Sequence, residues 1–237
     1  MAEAQDWRIP KNLSLLASGV FHPWGKMGLQ DPLLKEVPVY DCPWWRVTHA
    51  LSFMTGGVTF IFGTYIYYLP ASDFLSYLSA WLYIIGSAGF LYVDVQEFFT
   101  FTDNRWLRLN ICMSMIGSAL YIVGSYGFLP DVAAVDPETG IQGFIWGSFF
   151  IGVSQAWKLL RIQGDGGICG SKDTATAACV EGGACLGAWG FFFGTILYWY
   201  SPVEQLQLVL KFWMTGSAFF TLGGLSLTYR HAVMGVC

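Results

Sequence analysis

Charge is what this sequence has least of. Asp, Glu, Lys and Arg make up 12% of its 237 residues, about half of the roughly 25% that a soluble domain carries on its wetted surface. The deficit is concentrated in stretches. The windows 51–69 and 184–200 hold no charged residue, and the apolar length needed to cross a bilayer, about 20 residues, recurs along the chain.

Other absences exclude function classes. There is no basic surplus, since the formal net charge is −4, so no nucleic-acid partner is expected. No Cys-x-x-Cys pair occurs among the six cysteines, Cys42, Cys112, Cys169, Cys179, Cys185 and Cys237, which leaves neither a disulfide framework nor a zinc site. Residues 1–48 lack a continuous apolar run, so the expectation is no cleaved signal peptide, with the first apolar helix acting as its own membrane signal. The glycine-rich stretch 163–172 lacks the Gly-Lys-Ser/Thr order of a phosphate loop and reads as a flexible connector. Asn12-Leu-Ser14 matches a glycosylation sequon, but the expected topology hides it from the lumen. His22, His49 and His231 show no ligand spacing, and His49 and His231 flank the first and last helices. No histidine is expected inside a span, so internal haem is not expected. No Ser-His-Asp, zinc-type or paired-carboxylate constellation is visible. The expectation is a protein that is not an enzyme, with no cofactor and no metal.

What is present is apolar, aromatic and glycine-rich: 54% hydrophobic, 18% aromatic, with 28 glycines. Small residues let lipid-embedded helices approach closely. Six apolar segments fall at 50–69, 75–98, 108–129, 141–161, 180–200 and 206–229, which predicts an all-α polytopic membrane protein of six transmembrane helices. The segment 1–48, with Trp7, Trp24, Trp44 and Trp45, is expected to form irregular structure and short helical turns on the bilayer surface, where tryptophan rings favour the boundary. Of the twelve Lys and Arg, Arg8, Lys11, Lys26, Lys35, Arg46, Arg105, Arg108, Lys158, Arg161, Lys172 and Arg230 fall on the side of the termini. Lys211 alone falls near the other end. This bias places both termini on the cytoplasmic, positive side, and an even helix count requires the same.

The segments repeat in pairs. The first helix of each pair carries Gly56…Gly63-Thr64, Gly117…Gly124-Ser125 or Gly187…Gly194-Thr195, and a proline follows each: Pro70, Pro130 and Pro202. The second carries Trp81 with Gly86-Ser87, Trp146 with Gly147-Ser148, or Trp213 with Gly216-Ser217. Three two-helix units result, at 49–101, 106–162 and 179–231, with a Gly-rich loop at 163–178. Units of two spans share one orientation, which predicts a pseudo-threefold axis along the membrane normal. Mitochondrial carriers also use three two-helix repeats, but their charged proline signature is absent, as are the asparagine–proline–alanine boxes of aquaporins. The runs Tyr83-Ile-Ile-Gly86-Ser87, Tyr121-Ile-Val-Gly124-Ser125 and Trp146-Gly147-Ser148 resemble the YrhK-like membrane domain, a small two-helix family. The resemblance implies a two-helix membrane unit and carries no activity or catalytic residue with it.

Two groups of residues are candidates for function. The Gly-Ser/Thr pairs lie near the middle of their helices, where their hydroxyls either bond back to helix carbonyls during close packing or line a central path. Asp94, Glu97, Asn110 and Gln155, with Gln96 and Glu181, form a polar group toward the cytoplasmic helix ends. Asp94 and Gln155 each lie eight residues after the glycine of their pair. This group reads either as interfacial anchors paired with Arg105, Arg108 or Lys158, or as the vestibule of a pore. No charge is expected at the midplane, which excludes pumps, voltage sensors and ion-coupled transporters. Two functions follow. One is a passive channel or facilitator for a small solute or ion. The other is an accessory or scaffold subunit binding lipids, pigments, neighbouring subunits or further copies of itself.

Overall fold

The computed structural model describes residues 39–101, 104–164 and 167–235. Trp7, Trp24, His22, Asn12, Cys237 and the cations Arg8, Lys11, Lys26 and Lys35 lie outside the described residues. The described chain is helical, with no strand among its elements. The α-helices are α1 (Pro43–Ile66), α2 (Asp73–Thr100), α3 (Arg105–Gly127), a short α4 (Pro130–Ala133), α5 (Pro137–Gly164), α6 (Lys172–Tyr200) and α7 (Leu206–Tyr229). A 3₁₀ turn, Val39–Asp41, precedes α1, and a π-helical turn, Arg230–Met234, extends α7.

Local chemistry sets the helix starts. Pro43 opens α1 from a residue whose amide needs no partner. Ser72 accepts from the Leu75 amide at the start of α2, and Asn104 accepts from Trp106 and Leu107 at the start of α3. Asp136 accepts from the Glu138 and Thr139 amides and so caps α5. Ser171 and Thr174 form a reciprocal capping box on α6. Two expected boundaries therefore move. Trp44 and Trp45 belong to α1 and not to a separate segment ending at 48, because Pro43 favours the first helical turn. The connector expected over 163–178 is already helical at Lys172, because the capping box starts a helix that the Ala/Thr run sustains.

The six long helices close into a ring. Antiparallel neighbours α1–α2, α3–α5 and α6–α7 pack most extensively, α2 packs on α3 and α5 on α6, and α7 returns to α1. Helix backbones nearly touch where α3 meets α5. A methyl group on Gly143 would collide with the Gly124 backbone, and one on Gly127 with Gly140. Four stretches are long and apolar enough to cross a membrane, namely Asp73–Thr100, Arg105–Gly127, Lys172–Tyr200 and Leu206–Met234. This is compatible with an integral membrane location. α1 and α5, at 24 and 28 residues, have the length without the hydropathy. Glycine and threonine dilute α1, and Gln142 and Gln155 dilute α5.

Candidate functional site

The repeated glycines seat rings. Were each glycine of the Gly-Ser/Thr pairs given a Cβ, it would meet an aromatic side chain of the paired helix: Gly63 with Tyr83, Gly86 with Phe60, Gly124 with Phe144, Gly147 with Tyr121, Gly194 with Trp213 and Gly216 with Phe191. Ring fills the space a side chain would take, and the exchange is reciprocal within each helix pair. The second-helix aromatics that enter the interior are Tyr83, Phe144 and Trp213, three residues before their glycines. Trp81 and Trp146 face outward, at 53% and 51% exposure.

The motif hydroxyls are fully buried, and they bond to one another and to these rings. Thr64 meets the Tyr83 hydroxyl at 2.6 Å, Tyr121 meets Ser148 at 2.8 Å, and the Trp213 indole N–H donates to Thr195 at 3.1 Å. Ser87, Ser125 and Ser217 donate to the carbonyls one turn back, of Tyr83, Tyr121 and Trp213, at 2.7–2.8 Å. Between units, Thr64 stands 3.3 Å from Ser217 and Ser87 stands 3.5 Å from Ser125. Each of these hydroxyls is committed to a partner.

The centre of the ring is aromatic. Phe60, Tyr121 and Phe191, one from the first helix of each pair, form a triangle with centroids 5.2–6.2 Å apart. Tyr83 and Phe144 add edge-to-face contacts, the geometry that the ring quadrupole favours. The space between Tyr67, Tyr83, Phe128, Phe144, Phe191 and Trp213 leaves no room for a water molecule.

Toward the end of the bundle where α2 and α5 finish, the interior turns polar. Lys158 is 7% exposed and bridges Glu97 at 3.0 Å and Glu181 at 3.6 Å. Glu97 also faces the His49 Nε2 at 3.5 Å, and His49 Nδ1 lies 3.1 Å from His231 Nε2. Trp45 stacks on His49 and donates its indole N–H to Thr100. Asp94 accepts from Ser118 at 2.6 Å. Asn110 Nδ2 donates to the Ser154 carbonyl, and the Ser154 hydroxyl donates back to Asn110. Gln155 Nε2 points at the Ser114 hydroxyl, 3.4 Å away. Gln96 donates to Thr48 at 2.8 Å. The buried oxygens Gln155 Oε1 and Gln96 Oε1 accept no hydrogen bond.

The structure thus brings Asp94, Glu97, Asn110 and Gln155 into one layer, buried except for the partly exposed Glu97. Glu181 and Lys158 belong to the same layer, and the structure adds His49 and His231, which flank the first and last helices in sequence. Arg105 and Arg108 do not pair with the acids; their guanidinium groups lie over Trp106 and Phe98. A signal for the inward orientation was available. Ser87, Phe90, Asp94 and Glu97 are spaced three, four and three apart, as are Ser148, Ile151, Gln155 and Lys158, so each set lies on one helix face. Among the described residues, no group of three or more His, Cys, Asp or Glu side chains is arranged to hold a metal, and Cys42, Cys112, Cys169, Cys179 and Cys185 are free thiols.

Fold and site together define a closed helical ring with four stretches long and apolar enough to cross a membrane, a filled aromatic centre and a polar layer at one end. No family model, curated protein or solved structure matches the chain.

Proposed function

We propose that the chain is a non-enzymatic integral membrane protein and serves as an accessory or scaffold subunit of a larger membrane assembly. In this reading all six long helices span, as three two-helix units about a pseudo-threefold axis. α1 sits between α7 and α2, and α5 between α3 and α6, so each of the two less apolar helices is flanked by helices that meet the spanning criterion. Both termini face the positive side, following the distribution of Lys and Arg. The resemblance of the units to the YrhK-like membrane domain belongs to the same reading. Bilayer lipids, neighbouring subunits, pigments or further copies of the chain are the partners it implies.

The observation that carries the proposal is the triangle of Phe60, Tyr121 and Phe191, with no room for water beside it. Passage through the centre needs a continuous wetted or polar path, and the hydroxyls that could line one are bonded to ring groups and helix carbonyls. The buried polar layer favours the second reading, a passive facilitator entered from that end. Flux of ions and neutral solutes into liposomes holding the purified protein separates the two. No flux above empty liposomes is the expected result, together with migration as a larger assembly after mild-detergent extraction. Flux abolished by Ser125→Leu would overturn the scaffold reading.

A further inference from the structure

Three carboxylates share the polar layer, Asp94 buried and Glu97 and Glu181 partly so, and Lys158 forms ion pairs with the latter two. Asp94, 5% exposed, has no Lys, Arg or His in ion-pair contact among the described residues. It accepts a hydrogen bond from Ser118, itself 1% exposed, and Ser114 lies beside the carboxyl. A carboxylate that deep, away from water and with the nearby Lys158 already paired to two glutamates, is costly. Beside it, Gln155 is 6% exposed, has its amide turned to Ser114 and leaves Oε1 unpartnered.

The four side chains are oxygen-bearing and come from α2, α3 and α5. Hard cations are bound by carboxylate, carbonyl and hydroxyl oxygens, and a single carboxylate matches a single positive charge. Repeat positions sharpen the point. Where α2 places Asp94 against Ser114 and Ser118 of α3, α5 and α6 have Gln155, Ala184 and Ala188 in register, and α7 and α1 have Gly224, Phe53 and Gly57. Gly224 is filled by Phe53 and Met54. The carboxylate and the two serine hydroxyls are therefore peculiar to one of the three interfaces and are not a by-product of the packing motif. We propose that Asp94, Ser114, Ser118 and Gln155 form a binding site for a small monovalent cation of the sodium class. Glu97 and Lys158, one turn nearer the bundle end on α2 and α5, are the charged groups adjoining it.

The site does not depend on whether the protein conducts, so it is tested without a gradient. Radiolabelled Na⁺ is bound to the full chain in detergent at constant ionic strength, with choline chloride making up the salt. Saturable binding is expected, lost in Asp94→Asn and about tenfold weaker in Ser118→Ala. Thermal melting of the wild type keeps the test open should Asp94→Asn fold poorly, with Tm expected to rise as Na⁺ replaces choline. No saturable binding, or binding unchanged in a monodisperse Asp94→Asn, overturns the proposal. So does a protonated-carboxyl infrared band that Asp94→Asn removes and Na⁺ leaves in place, since Asp94 then holds a proton instead.

Discussion

Phe60 is the residue around which the interior is built. Its ring meets Tyr83 and Phe90 from α2, Tyr121 from α3 and Phe191 from α6. Phe60→Ala is expected to cost about 3–5 kcal/mol. Phe62→Ala, two residues on and 57% exposed, should stay within about 0.5 kcal/mol. Reversible unfolding in nanodiscs measures both, and equal costs would contradict the aromatic core. Lys158 gives a second residue-scale expectation. Lys158→Met strands Glu97 and Glu181 and should cost about 3–5 kcal/mol, with Glu97→Gln in the same chain recovering part of it. A Lys158→Met variant as stable as the parent would show the pair to be solvated. The Gly-Ser/Thr positions are legible in the sequence because six residues recur between glycines. The rings they seat are less so, since aromatics are too common in this chain for Phe60, Tyr121 and Phe191 to stand out.

Among the elements, α5 offers a pH-dependent start. The Thr139 hydroxyl and the Thr139 and Glu138 amides all donate to Asp136, which holds its carboxyl below the usual range. A lowered pKa contributes stability above the ordinary carboxylate value, and that stability is lost as pH falls through the lowered one. The group is exposed, so the effect is confined to the first turn. Amide exchange at Glu138 and Thr139, corrected for the intrinsic rate, should speed up on acidification. In Asp136→Ala it should be fast at every pH, and protection equal in both proteins would remove the cap. Helix positions were readable from hydropathy to within a turn or so at most ends. The starts of α1 and α6 were not, because Pro43 and the Ser171–Thr174 box act through backbone geometry that an apolar count ignores.

The closed ring and the proposed one-sidedness of the cations belong to the whole molecule. If both termini share a face, residue 169 and residue 136 face opposite compartments. Cys169 is exposed in the connector between α5 and α6. An impermeant maleimide should therefore reach it from one side of a sealed vesicle. In a chain whose single cysteine comes from Asp136→Cys, it should react only from the other. Labelling of both from one side would remove the alternating topology. The pairing of helices was legible in the repeat. The interior polar layer was not, because charges near helix ends look like anchors until the face they occupy is counted.

Ring closure also loosens the tie between chain order and architecture. α7 lies against α1, and Gly235 comes so near Arg46 that a methyl group on it would stand 3.7 Å from the guanidinium. Joining Cys237 to Met1 would therefore carry the chain from Gly235 to Val39 through residues 236–237 and 1–38. Opening the chain in the connector before Lys172 would then give a circular permutant that begins with α6 and α7 and ends with α5. The same ring would be spelled from a different first letter.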